Sequence, residues 1–120
     1  MTLAALLEEL KEVDVKVYDD IEVSRRPTEE FTWYDLDADE SIHVSFGEAV
    51  GRITRDSPQY QDIIQGCIQR ACERRGWFVI QTQTNGHSAK ISNFDGGPIT
   101  KVGDSAAEAL LAAYIAAVRA

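Results

Sequence analysis

Between Trp77 and Phe94 the chain reads WFVIQTQTNGHSAKISNF, two β-rich runs on either side of Asn85-Gly86. That pair tolerates the positive φ angles of a tight type I′ turn, so the stretch predicts an antiparallel hairpin. Closing the hairpin on Asn85-Gly86 sets Ile80 opposite Ile91 and Trp77 opposite Phe94. The Asp95-Gly96-Gly97-Pro98 turn then leads into a short third strand from Ile99 to Val102. Ser105 with Glu108 three residues on forms a capping box, the signature of a helix start. Ala107, Leu110, Leu111, Tyr114, Ile115 and Val118 follow as the apolar face of a closing helix. Its many alanines allow it to lie close to a sheet.

Upstream, Ser57-Pro58 opens a helix with a cap residue followed by proline at the first helical position. Tyr60, Ile63, Ile64, Cys67, Ile68, Ala71 and Cys72 recur at helical spacing, and Arg74, Arg75 and Gly76 end the run. Cations suit the negative end of the helix dipole, and glycine suits the position after it. Cys67 and Cys72 share the apolar side of this helix, which fits neither a CxxC site nor a disulfide and predicts buried free thiols. At the start of the chain, Thr2 caps a helix with Leu3, Leu6, Leu7, Leu10 and Val13 on one stripe. The period then changes: Val13, Val15 and Val17 alternate with Asp14, Lys16 and Tyr18 as in a half-wet strand, which Asp19-Asp20 breaks and Ile21 and Val23 resume. Hairpins instead of alternating β and α units predict a single α+β domain, an antiparallel sheet covered by helices.

A second hairpin is expected from Phe31 to Phe46 around a turn at Asp37–Glu40. Phe31 then opposes Phe46, Trp33 opposes Val44 and Asp35 opposes Ile42, which gathers the apolar side chains on one face. Ser45 and Glu48 then cap a short helix through Ala49, Val50 and Ile53. Asp35, Asp37 and Asp39 imitate the alternate oxygens of a calcium loop. Such a loop needs glycine at its sixth place and a bidentate glutamate at its twelfth, where this chain has Glu40 and Phe46. The aspartates read as an acidic hairpin tip, and no metal or cofactor is expected. His43 and His87 have no second His or Cys at ligand spacing, and Ser45 and Ser88 sit in no nucleophile motif. Gly96, Gly97 and Gly103 belong to no phosphate loop. No catalytic residue is assigned, and a non-enzymatic protein is expected.

Charge is divided unequally along the chain. Residues 1–48 hold 14 Asp/Glu against 4 Lys/Arg, whereas residues 49–120 hold 6 against 8. Arg52, Arg55, Arg70, Arg74 and Arg75 fall along the central helices, interspersed with Asp62 and Glu73. A negative field repels nucleic acid and anionic membranes and steers basic protein surfaces inward. No apolar run is long enough to span a bilayer, and a cytoplasmic protein is expected.

The order from the central helix onward, helix, hairpin, short third strand and Ala-rich helix, resembles a double-stranded RNA-binding domain. That family grips phosphates with lysines at the start of its last helix. Here the stretch reads VGDSAAEAL, with Asp104 and Glu108, so RNA binding is not carried over. GGPITKVGDSAAEALLAAY is similar to the glycine turn and helix start of HicB-type antitoxins. The aromatic hairpin followed by an Ala-rich helix also resembles small phage and prophage accessory proteins of the α-β-α sandwich kind, anti-CRISPR proteins among them. This resemblance implies an inhibitor of a host defence complex, working in a bacterial cytoplasm. Its partner would be a host protein or ribonucleoprotein with a basic surface, met by carboxylates in place of phosphates. The expected contact residues are Asp19, Asp20, Glu22, Glu29, Glu30, Trp33, Tyr34, Asp35, Asp37, Asp39 and Glu40. Direct nucleic-acid contact is not expected, and the protein is a monomer or a dimer. An antitoxin-like or regulatory protein-binding subunit is the alternative.

Overall fold

The computed structural model describes residues 2–25, 58–92 and 96–120. Helices α1 (Leu3–Val13), α2 (Val15–Ser24) and α3 (Pro58–Arg75) come first. They are followed by β1 (Phe78–Gln83), β2 (His87–Ser92), β3 (Ile99–Gly103) and α4 (Ala106–Arg119). The three strands form one antiparallel sheet in the order β1-β2-β3, so the fold is α+β. The order expected from the central helix onward is the order found.

Local chemistry accounts for most of the boundaries. The Thr2 hydroxyl accepts the Ala5 amide at 3.2 Å, and the Ser105 hydroxyl accepts the Glu108 amide at 3.1 Å. Each satisfies one of the orphan donors that open a helix. At the end of α3, Gly76 takes φ +74°, its amide bonds the Glu73 carbonyl at 3.0 Å, and the Trp77 amide bonds the Cys72 carbonyl at 2.9 Å. This is a Schellman cap, in which a left-handed glycine lets the chain reverse into β1.

The helix α4 is the hub, packing against α1, α3 and all three strands. Its Leu110, Leu111 and Tyr114 are fully buried with Leu7 and Leu10 of α1, Tyr60, Ile64 and Ile68 of α3, and Ile91 of β2. Cys67 and Cys72 are buried free thiols, as the helical spacing predicted. At Gly103 a Cβ would lie 2.7 Å from the Ala109 nitrogen, so glycine allows the end of β3 to touch the first turn of α4. α1 packs on α2 and α4, and α2 on α3.

Two expectations are corrected. Residues 15–24 are helical, although the alternation of Val13, Val15 and Val17 predicts a strand. Asp14 decides the matter. Its backbone amide bonds the Leu10 carbonyl at 2.8 Å to close α1, while its side chain accepts the Val17 amide at 3.4 Å to open α2. The buried positions of α2 are Val17 and Ile21, spaced by four, while Val15 and Val23 are exposed. Tertiary packing of one helical stripe outweighs the β preference of valine.

The hairpin register also differs, by one residue. The connection is three residues long, with Asn85 at φ 57° and Gly86 at φ 112°, and Gln83 pairs with His87. Val79 therefore opposes Ile91, and Ile80 opposes Lys90. A one-residue slip exchanges the faces of a strand. Val79 and Gln81 turn toward the helices, and the Gln81 amide donates to Gln65 Oε1 at 2.9 Å and to the Ala106 carbonyl at 3.2 Å. Phe78 and Ile80 turn outward, 69% and 57% exposed. Phe94, the expected partner of Trp77, lies outside the described residues, as do the expected 31–46 hairpin and the 45–53 helix.

Candidate interaction surface

Of the residues expected to meet a partner, the structure describes Asp19, Asp20 and Glu22, all on α2. Glu29, Glu30, Trp33, Tyr34, Asp35, Asp37, Asp39 and Glu40 lie outside the described residues. Val17 and Ile21 anchor α2 in the core, which leaves Asp19 and Asp20 on the exposed side. Asp20 faces Arg74 at 3.8 Å, with both side chains about 60% exposed. An ion pair that wet contributes little, so both carboxylates can exchange their present surroundings for a partner's cations.

Glu22 is placed differently. It meets the Arg25 guanidinium at 2.6 Å with both side chains nearly buried, and it accepts the Tyr18 hydroxyl at 3.1 Å. Arg25 in turn lies over the Tyr60 ring, 4.9 Å from its centroid. A charge removed from water is retained only when paired and hydrogen-bonded. Glu22 and Arg25 therefore close the corner between α2 and α3, and Glu22 is not part of an open acidic face.

The arginines of α3 are likewise dispersed instead of forming a patch. Arg70 donates to Cys67 Sγ at 3.5 Å, Arg74 faces Asp20, and Arg75 turns into a cluster that the sequence did not disclose. In that cluster the Tyr114 hydroxyl donates to Asp14 Oδ2 at 2.6 Å and accepts from Arg75 Nε at 3.2 Å, while Arg75 also reaches Asp14 Oδ2 at 3.4 Å. The guanidinium stacks 4.9 Å from the Trp77 ring, which is tilted against Tyr114 at 5.9 Å. The carboxylate that caps α2 thus also ties the end of α3 to the middle of α4. Burial, reinforced by the Asp14 carboxylate, pushes the Tyr114 phenol up to about 12. Burial pushes the Cys72 thiol up to about 11 against the pull of Arg75. Neither is a nucleophile at neutral pH. The one sequence signal for the cluster was the Asp14-x-x-Val17 cap, which period-2 reading of the valines concealed.

His87 begins β2 beside a shallow groove that also carries Asn85, Asp104 and Glu108. The start of α4 is acidic, with no lysine to grip phosphate. Among the described residues no three His, Cys, Asp or Glu side chains gather as a metal site, and no helix is long and apolar enough to cross a membrane. No protein-family model, curated protein or solved structure matches the chain.

The distribution of charge remains the most informative feature. The described residues carry eleven Asp/Glu and nine Lys/Arg, close to balance, whereas residues 26–57 carry eight against three. The described residues are thus almost neutral, and residues 26–57 hold most of the negative excess.

Proposed function

We propose that this protein is a non-enzymatic, phage-type inhibitor of a host defence complex, anti-CRISPR-like in mode. It occupies a basic, nucleic-acid-binding surface of a bacterial cytoplasmic target through protein–protein contact. The observation that carries this reading is the concentration of negative charge in residues 26–57, against described residues near neutrality. Carboxylates presented together compete with phosphates for lysine and arginine. Asp19, Asp20, Glu29, Glu30, Asp35, Asp37, Asp39 and Glu40 supply the charge, with Trp33 and Tyr34 as anchors. Glu22 contributes to the fold instead.

The test is capture of the target from the natural host at low and high salt, with wild type beside the Asp37→Lys, Asp39→Lys, Glu40→Lys triple variant. The expected result is a ribonucleoprotein effector bound by wild type, released by salt and lost in the variant, whose thermal midpoint stays unchanged. Equal capture by both proteins removes the acidic segment from the mechanism.

A second reading, an antitoxin-like or regulatory subunit, draws on a different observation. One face of the sheet exposes Phe78, Ile80 and Val102, an apolar surface suited to one cognate protein. Capture unaffected by the triple variant and abolished by Phe78→Lys favours it.

A further inference from the structure

The two edges of the sheet differ in how they are defended. A strand edge is a row of unpaired backbone donors and acceptors, and natural proteins blunt such rows with proline, charge, shortness or cover. β3 has two of these devices. It follows Pro98 and carries Lys101 on the side turned toward α4, with Asp104 immediately after it. Among the described residues β1 has none of them. No residue between Arg75 and Lys90 is charged or a proline, and among the described residues no further strand pairs with β1. On the open face beside this edge stand Phe78, 69% exposed, and Ile80, 57% exposed.

We infer that β1 is the seat of self-association, and that a second copy of this chain adds its own β1 antiparallel to it about a two-fold axis. Such pairing makes the three-stranded sheet one half of a continuous sheet in the order β3-β2-β1-β1-β2-β3. The contact is isologous, so each copy satisfies the other's edge and the assembly closes. The guarded β3 edges at both ends stop it from growing into a fibre. Cross-strand contacts between Phe78, Ile80 and Thr82 of the two copies add side-chain packing to the ladder.

An antiparallel edge is complementary to itself about a two-fold axis, which fits a second copy as the occupant. Each chain carries −8, and like-charged molecules meet most readily where their contact surfaces are uncharged. β1 lies in the longest uncharged stretch of the sequence. The sign of the salt effect follows: screening the mutual repulsion strengthens the dimer, whereas it weakens capture of a basic partner. The inference therefore stands apart from the proposed function, and the failure of either is recognisable on its own.

The experiment is sedimentation equilibrium of the full chain up to about 300 µM, high enough to populate a small, weak interface. The wild type is expected to move from 13.3 kDa toward twice that mass, more readily at higher salt. Ile80→Lys sets like charges on the shared face and is expected to raise the dissociation constant roughly tenfold or more. Thr82→Lys, read by circular dichroism alongside, guards against loss of fold in the first variant. Thr100→Lys, on the same face but on β3, is expected to leave association unchanged. A wild type that stays monomeric at every salt concentration overturns the inference, as does a dimer that survives both β1 substitutions.

Discussion

Replacing Tyr114 with phenylalanine isolates the polar cluster, because the ring stays buried and only the hydroxyl is lost. That hydroxyl donates to Asp14 Oδ2 at 2.6 Å, a bond to a charged acceptor, and accepts from Arg75 Nε at 3.2 Å. A hydrogen bond to a charged group contributes about 1.5–3 kcal/mol net, and Asp14 keeps Arg75 as a partner after the change, so the loss stays within that range. For a chain of this length it lowers the thermal midpoint by about 6–12 °C. Asp14→Ala should cost more, because it also removes the cap of α2, typically about 1 kcal/mol. The assay is urea unfolding followed by fluorescence of Trp77 and Trp33 together with circular dichroism, on both single variants and the double variant. The double-mutant cycle should return a coupling of about 1–2 kcal/mol between the two positions. A cost for Tyr114→Phe below about 0.5 kcal/mol, or strict additivity, refutes the idea that this contact locks the α1–α2 corner to α4.

Alkaline pH should destabilise the protein in two overlapping steps. Folding raises the Cys72 thiol from 9.0 to about 11 and the Tyr114 phenol from 10.0 to about 12. A group raised on folding stabilises fully below its unfolded value, and that contribution is lost as pH climbs through the folded one. Unfolding free energy measured by denaturant titration should therefore begin to fall near pH 9 and continue to about 12, and Tyr114→Phe should remove the upper part of the decline. The same burial predicts that Cys72 reacts with a thiol reagent at pH 8 only as fast as the chain opens, and a rapid reaction of the folded protein contradicts it. Gly103→Ala should destabilise by about 1–3 kcal/mol, because backbone atoms of α4 block the new methyl. A neutral result in thermal melts places β3 farther from α4 than described.

How much of this was legible in the sequence varies with the range of the forces involved. Short-range signals were reliable: Thr2 and Ser105 as caps, Pro58 and Gly76 as helix limits, the stripe through Tyr60, Ile64 and Ile68, and an antiparallel hairpin bearing Asn85-Gly86. Each is a contest decided within a few residues of backbone, so each leaves its trace in local residue order. The α+β class followed from these pieces.

Tertiary structure decided where a local pattern had two solutions of similar energy. Alternating valines at 13, 15 and 17 suit a strand, but Asp14 gains more by capping α2 and meeting Tyr114, one hundred positions away, and the chain became helical. A two-residue and a three-residue connection both suit Asn85-Gly86, and the packing of Val79 and the bonds of Gln81 to Gln65 and Ala106 selected the longer one. That choice turned Phe78 and Ile80 to solvent. Composition could announce the acidic excess, but only the folded arrangement separated Asp19 and Asp20, which face water, from Glu22, which is held by Arg25. Burial and pairing are properties of what surrounds a side chain in space, and a linear sequence does not state its neighbours.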